Sequence, residues 1–268
     1  MKLDNIFQRL WDDYTTQNPA AKKVYELFEQ KGEQVQNDHI AFRTYNDPRI
    51  NIDVLARIFI ENGYEQKGNY TFDKKHLIAK HFEHPTIDHA PKVFISQLIL
   101  QDFSNELQEI LAKKINQVPR EVLESDELIL KGNIWPTVSY EVYEKLRKES
   151  EYAAWVYVYG FRANHFTVNI NALKNFESIQ EVNQFLKDNG LKMNDSGGEV
   201  KGSPAELLEQ SSIMANHIEV EFEEGKKGIP GCYYEFARRY PDDSGSLYGG
   251  FIAKSADKIF ESTDFYKK

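Results

Sequence analysis

The chain has a single cysteine, Cys232, in 268 residues. No intrachain disulfide and no cysteine-built zinc cage is therefore possible, and Cys232 reads as a buried structural thiol. Positive charge is also in short supply: 33 Lys and Arg against 42 Asp and Glu leave a formal charge of −9. Such a chain lacks the broad positive field that nucleic acid or an anionic membrane requires. Long apolar runs are missing too. The longest, Ala153–Phe161, covers about a third of a membrane span. The N-terminal MKLDNIFQRLWDDY carries acids and no apolar core, unlike a secretory signal. Gly197-Gly198 and Gly249-Gly250 match neither the dinucleotide fingerprint nor the phosphate-binding loop, and read as turns. These absences leave a soluble cytoplasmic globular protein as the expectation. They suggest no nucleic acid and no membrane, and no protein partner can be inferred.

Aromatics are plentiful, with 17 Phe and 15 Tyr among 41% apolar residues, enough for a sizeable core. Residues 4–31 show helical spacing (Ile6, Leu10, Trp11, Tyr14, then Val24, Leu27, Phe28), with a break and restart at Asn18-Pro19. The period then changes. His39–Tyr45 reads as a strand, Ile52–Asn62 as a helix stopped by Gly63, and Tyr64–Phe72, Leu77–Phe82 and Val93–Leu100 as strands. Residues 104–160 read as a helical insertion or lid, with stripes at Leu107, Ile110, Leu111, Ile115 and at Val142, Tyr143, Leu146.

The second half repeats the first. Asn164–Ile170 reads as a strand and Ser178–Asn189 as a helix capped by Ser178 and stopped by Gly190. Strand-like runs follow at Gly198–Gly202, at Leu207–Ala215 with His217–Phe222, and at Tyr233–Tyr240. His39 to Gly63 spans 24 residues and His165 to Gly190 spans 25. A duplicated β-α-β-β-β unit is the economical explanation. The expectation is one elaborated α+β domain: helices over 1–34, one unit over 35–103, the insertion over 104–160, a second unit over 161–254 and a tail over 255–268. The two units would form a curved, barrel-like mixed sheet around a metal site, with helical additions.

His39 and His165 stand at equivalent points of the two units, and imidazoles suit Fe, Zn, Cu or Ni. Glu235, a carboxylate among aromatics, needs pairing or a cation if buried; an ion pair with Arg238 or Arg239 is its other reading. Arg43 follows His39 by four residues, so both lie on one strand face, about 13 Å apart. Its fork suits a carboxylate, and a surface ion pair is the alternative. Arg239 stands in the same relation to Glu235 and offers a second inward cation. His76, His81, His84 and His89 crowd one hairpin. His81 and His84 are spaced as a ligand pair, but the neighbouring Lys74, Lys75, Lys80 and Pro85 favour an exposed hairpin. His217 and Glu219 share a strand face; Glu221, Glu223 and Glu224 favour a solvated one.

Asp38-His39-Ile40-Ala41-Phe42-Arg43-Thr44, Val93-Phe94-Ile95-Ser96, Asn164-His165-Phe166-Thr167, Gln210-Ser211-Ser212 and Tyr233-Tyr234-Glu235-Phe236-Ala237-x-Arg239 together resemble the 2-oxoadipate dioxygenase/decarboxylase family, on a vicinal oxygen chelate fold. The resemblance implies a non-haem Fe(II) enzyme of lysine catabolism, taking 2-oxoadipate or a similar 2-oxo dicarboxylic acid and O₂ to 2-hydroxyglutarate and CO₂. It implies His39, His165 and Glu235 as metal ligands and Arg43 as the substrate-binding arginine, with His39 and His165 also touching the acid. Zn or Ni is an expected occupant as purified, because affinity order does not favour Fe(II). Two rival classes remain: a non-redox metal-dependent isomerase or lyase on the same scaffold, and a non-catalytic small-molecule binding protein.

Overall fold

The computed structural model describes residues 2–263, without the side chains of residues 256, 257 and 260. The last five residues of the expected tail, 264–268, lie outside the described residues. Two helices open the chain, α1 (Leu3–Gln17) and α2 (Pro19–Gln30). Pro19 takes the first helical position of α2, and the Asn18 side chain accepts from Ala21 N–H. The first unit follows as β1 (Asn37–Tyr45), α3 (Ile52–Glu61), β2 (Glu65–Phe72), β3 (Leu77–Glu83) and β4 (Lys92–Leu98). Asn51 caps α3 through Val54 N–H, and Gly63, at φ +92°, turns the chain out of it.

The insertion holds α4 (Asn105–Asn116), the short α5 (Arg120–Leu123), α6 (Tyr140–Glu149) and α7 (Glu151–Tyr159). It is not a detached lid. Every residue of α7 from Tyr152 to Tyr159 is buried, which explains why the longest apolar run carries no helical stripe. Its polar tips tie it to strands and loops. Tyr152 Oη accepts from Thr44 N–H and donates to Ser96 O. Trp155 Nε1 donates to Gly231 O, and Tyr159 Oη to Pro230 O.

The second unit runs β5 (Ala163–Asn169), α8 (Ile179–Asp188), β6 (Lys201–Ser203), β7 (Leu208–Ser212), β8 (His217–Phe222), β9 (Gly225–Pro230) and β10 (Tyr233–Arg239). Here the sequence reading needs a correction. His217–Phe222 does not join the main sheet. It pairs with Gly225–Pro230 in a separate two-stranded ribbon. The β9 sequence, GKKGIP, carries two glycines and a proline, so it has little strand propensity of its own and is held by its partner.

The eight remaining strands form one sheet in the order β2-β3-β4-β1-β5-β10-β7-β6, curled into a half-barrel. β1 and β5 meet antiparallel at its centre, and each has a parallel outer neighbour, β4 and β10 respectively. One face packs on helices: Trp11 and Tyr14 meet Phe166 and Tyr234, Phe28 meets Phe236, and Phe59 meets Phe42. The other face is also covered, so β1 is buried from Asp38 to Tyr45. A strand buried on both sides has no solvent-facing polar positions. Its polar residues therefore need another explanation. A final helix, α9 (Ala253–Ile259), and a short turn through Thr263 lie against that second face.

Candidate metal centre and substrate cavity

His39, Ala41 and Arg43 alternate onto the second face of β1, as do His165 and Thr167 on β5 and Tyr233 and Glu235 on β10. Across the β1–β5 pair, His39 stands opposite Thr167 and Ala41 opposite His165. The two histidines are thus diagonal neighbours, their ring centroids 5.5 Å apart. Glu235 lies beside Thr167 on the parallel side. Its two oxygens sit 3.5 Å from His39 Nε2 and 3.1 Å from His165 Nε2. One ligand atom from each of the three residues falls within 4.8 Å of the others, and all three are buried.

The outer ring nitrogens fix how these groups point. His39 Nδ1 is 2.7 Å from Asp38 Oδ1, and His165 Nδ1 is 3.1 Å from Asn164 Oδ1. With each Nδ1–H donating outward, both Nε2 lone pairs face inward, the arrangement of metal-bound histidine. Burial lowers the pKa of both rings. Asp38 opposes this at His39, whereas His39 and Arg43 add to it at His165. Both are therefore neutral at pH 7, as ligands must be. Burial raises Glu235 to about 8, although Gln210 Nε2 donates to its Oε1 at 2.6 Å. Glu235 Oε2 is buried without a hydrogen-bond partner. Its 3.1 Å approach to His165 Nε2 sets two lone pairs against each other. Only a proton or a cation between them removes that repulsion. The donor set therefore fits a divalent metal: two neutral imidazoles and one carboxylate converge, Glu235 Oε2 without a partner and His39 Nε2 3.1 Å from Thr167 Oγ1.

The same face forms a cavity whose lining includes the three candidate ligands together with Arg43, Tyr233, Phe251 and Ile259. It measures about 20 Å³, close to one water-sized sphere. Arg43 is 1% exposed. Its guanidinium lies 5.1 Å from the Tyr152 and Trp155 ring centres, Nη2 donates to Thr263 Oγ1 at 3.3 Å, and Nη1 is 3.6 Å from Glu151. It is a cavity residue, not a surface ion pair.

Arg239 is placed differently from the expectation. It does not line the cavity. Its Nε and Nη2 grip the Asp38 carboxylate at 2.6 and 2.8 Å, and Nη1 donates to Tyr248 O and Gly250 O. Four of its five N–H groups are thus engaged, and neither Arg239 nor Arg238 pairs with Glu235. Against the cost of burial, Arg239 and His39 hold the Asp38 carboxyl well below its ordinary range. Arg239 therefore acts through Asp38 on the orientation of His39.

The hairpin histidines do not gather. His81 is buried rather than exposed, bonded to Tyr70 Oη at 2.8 Å and Glu83 Oε1 at 2.9 Å, while His76 and His89 are exposed. His217 and Glu219 both face solvent. Asp38, Asn164, Gln210 and Phe251 carry no role in the sequence reading, yet each touches a candidate ligand. The one available signal was the Asp or Asn directly before each histidine.

Two β-α-β-β-β units curled around a two-His, one-Glu cluster that could hold a metal define a protein of vicinal oxygen chelate-like fold. Within that class, residues 6–244 match the model of the 2-oxoadipate dioxygenase/decarboxylase family, and the chain belongs to it. The rice chloroplastic/amyloplastic 2-oxoadipate dioxygenase/decarboxylase is 35% identical over 93% of this chain and 75% of its own length. The crystal structure of rice hydroxyglutarate synthase in complex with 2-oxoadipate superposes with a TM-score of 0.92 at 33% identity, covering 97% of this chain and 91% of that one. A Shewanella frigidimarina structure described only as a hydrolase is 50% identical, with a TM-score of 0.88 over 93% of this chain and 97% of that one.

Proposed function

We propose that this enzyme is an Fe(II)-dependent dioxygenase/decarboxylase that converts 2-oxoadipate, or a similar 2-oxo dicarboxylic acid, and O₂ to 2-hydroxyglutarate and CO₂ in lysine catabolism. The observation that carries the reading is the convergence of two histidines, one glutamate and one buried arginine on a single cavity. The reaction balances without an external reductant: C₆H₈O₅ and O₂ give C₅H₈O₅ and CO₂. Fe(II) held by His39, His165 and Glu235 would supply a redox centre with open positions for a chelating oxo acid and for O₂. The chain's own residues do the rest. Arg43 binds a substrate carboxylate through its fork and so fixes the acid's direction. Asp38 and Asn164 hold the two imidazoles in the ligating tautomer. Phe251, with its ring centre 4.8 Å from that of His39, and Ile259 keep water from the reacting end.

The test is anaerobic reconstitution with Fe(II), followed by turnover of 2-oxoadipate under ¹⁸O₂. The expected result is one O₂ consumed per CO₂ released, with both labelled atoms in the hydroxy acid, one in its new carboxylate and one in its hydroxyl, and none in the CO₂. Unlabelled product formed at an undiminished rate under nitrogen would replace this reading with the isomerase or lyase one. Tight 2-oxoadipate binding with no turnover in any metal form would leave a binding protein.

A further inference from the structure

Tyr233 opens β10 two residues before Glu235, so strand alternation puts both on the cavity face. Its register partner is His165, and the two rings stack with centroids 4.6 Å apart and planes 27° from parallel. The side chain is fully buried and lines the cavity. Its hydroxyl has no hydrogen-bond partner. Other buried tyrosines of the chain behave differently: Tyr14, Tyr45, Tyr152 and Tyr159 each donate to a backbone carbonyl. Tyr234 shares the unpaired state, but it packs on the opposite face against Trp11, away from the cavity.

A buried hydroxyl without a partner weakens a fold, and phenylalanine fills the same volume without that cost. Stability alone therefore gives no reason for the oxygen of Tyr233. A phenol is protonated at neutral pH, so it can donate. Tyr233 and Arg43 line the same cavity, together with the candidate metal ligands.

We propose that the Tyr233 hydroxyl is the second donor to the substrate carboxylate held by Arg43, so that one guanidinium and one phenol together read the dicarboxylic end of the acid. This rests on the oxo-acid reading above. A donor that is unsatisfied in the empty site and satisfied in the complex contributes to binding without stabilising the free protein. It also discriminates against ligands lacking the acceptor, because they leave it buried and unpaired.

The experiment uses the full-length protein loaded with Zn(II), under nitrogen, so that nothing turns over. Calorimetry then compares 2-oxoadipate with 2-oxohexanoate, which has the same length but lacks the second carboxylate. Tyr233→Phe is expected to weaken 2-oxoadipate binding roughly 10- to 100-fold, the range for a hydrogen bond to a charged group. It should leave 2-oxohexanoate within about two-fold and metal affinity unchanged, with the melting temperature of the ligand-free protein equal or higher. A fall in that melting temperature, with both acids weakened alike, would assign Tyr233 a structural role and overturn the proposal. So would unchanged 2-oxoadipate binding, or a wild-type protein that binds no dicarboxylate. If Tyr233→Phe itself misfolds, Tyr233→Trp supplies a donor in a different position and must show the same selective loss. A protein that binds as expected yet consumes no oxygen would sink only the redox reading.

Discussion

The two halves of the sheet meet at β1 and β5, and their differences define the site more sharply than their likenesses. His39 and His165 are equivalent. Two residues further on, Thr167 has Glu235 beside it on β10, whereas Ala41 has Phe94 beside it on β4. The first half therefore carries a phenylalanine where the second carries the carboxylate. Four residues after each histidine stand Arg43 and Asn169, so the cation belongs to the first half alone. Before each histidine stand Asp38 and Asn164: one ring is braced by a charged network through Arg239, the other by a neutral amide. A symmetric scaffold has become one asymmetric site. One half gives the carboxylate of the candidate metal set and the other gives the cavity arginine, because two half-sites facing each other need only one of each.

The comparison breaks most severely at Glu235. Glu235→Gln should lower metal affinity by more than about 100-fold, exceeding typical outer-shell effects, and abolish O₂ uptake. The metal-free fold should persist, since the carboxyl is already largely protonated at pH 7. Metal content after dialysis and oxygen-electrode traces check this.

Asp38→Asn makes the first half resemble the second. It strips Arg239 of its buried counter-charge and should cost about 3–5 kcal/mol of stability, read by urea unfolding. The reciprocal Asn164→Asp, which has no such arginine, should not restore it.

Arg43→Ala should cost roughly 2–4 kcal/mol in kcat/KM for the dicarboxylic acid, and Arg43→Lys should recover only part. The equivalent change in the other half, Asn169→Ala, should leave kcat/KM within about three-fold. Equal losses at the two positions would dissolve the asymmetry in substrate binding.

The smallest effect concerns pH. Glu235 is raised to about 8 in the folded protein, so between its unfolded pKa and 8 the native state holds a proton that the unfolded chain has released. Its contribution to metal-free stability is full below the unfolded pKa and falls as pH rises towards 8. The lowered histidines act in the opposite sense, but only below about pH 6.5. From pH 6.5 to 7.5 the metal-free wild type should therefore lose about 1 kcal/mol relative to Glu235→Gln. Bound metal should remove the difference. Paired urea titrations with and without chelator measure it.

Much of the site was legible before any fold was seen. A strand signature with a histidine at the same point of two repeats marks equivalent positions, and alternation then puts Arg43 on the face of His39. Other features were not legible, for a common reason. Arg239 shares a face with Glu235, but the partner that engages it, Asp38, is 201 residues away in sequence. The β8 sequence reads as a strand like those of the main sheet, and only the available neighbour separates them. The residues after 250 carry no periodic signal, yet Phe251 and Ile259 line the cavity and Thr263 accepts a hydrogen bond from Arg43.

The sequence by itself determined the local elements and the chemical types at the centre, because period, caps and glycine stops act over a few residues. It also determined that two histidines would be equivalent. The tertiary structure decided which carboxylate completes the set, which arginine faces the cavity and which braces a ligand, and which hydroxyl is left without a partner. Those outcomes depend on contacts between strands far apart in the chain. Burial then sets their energies, because a lone pair or donor inside a dry sheet must find its complement among whatever the fold brings near.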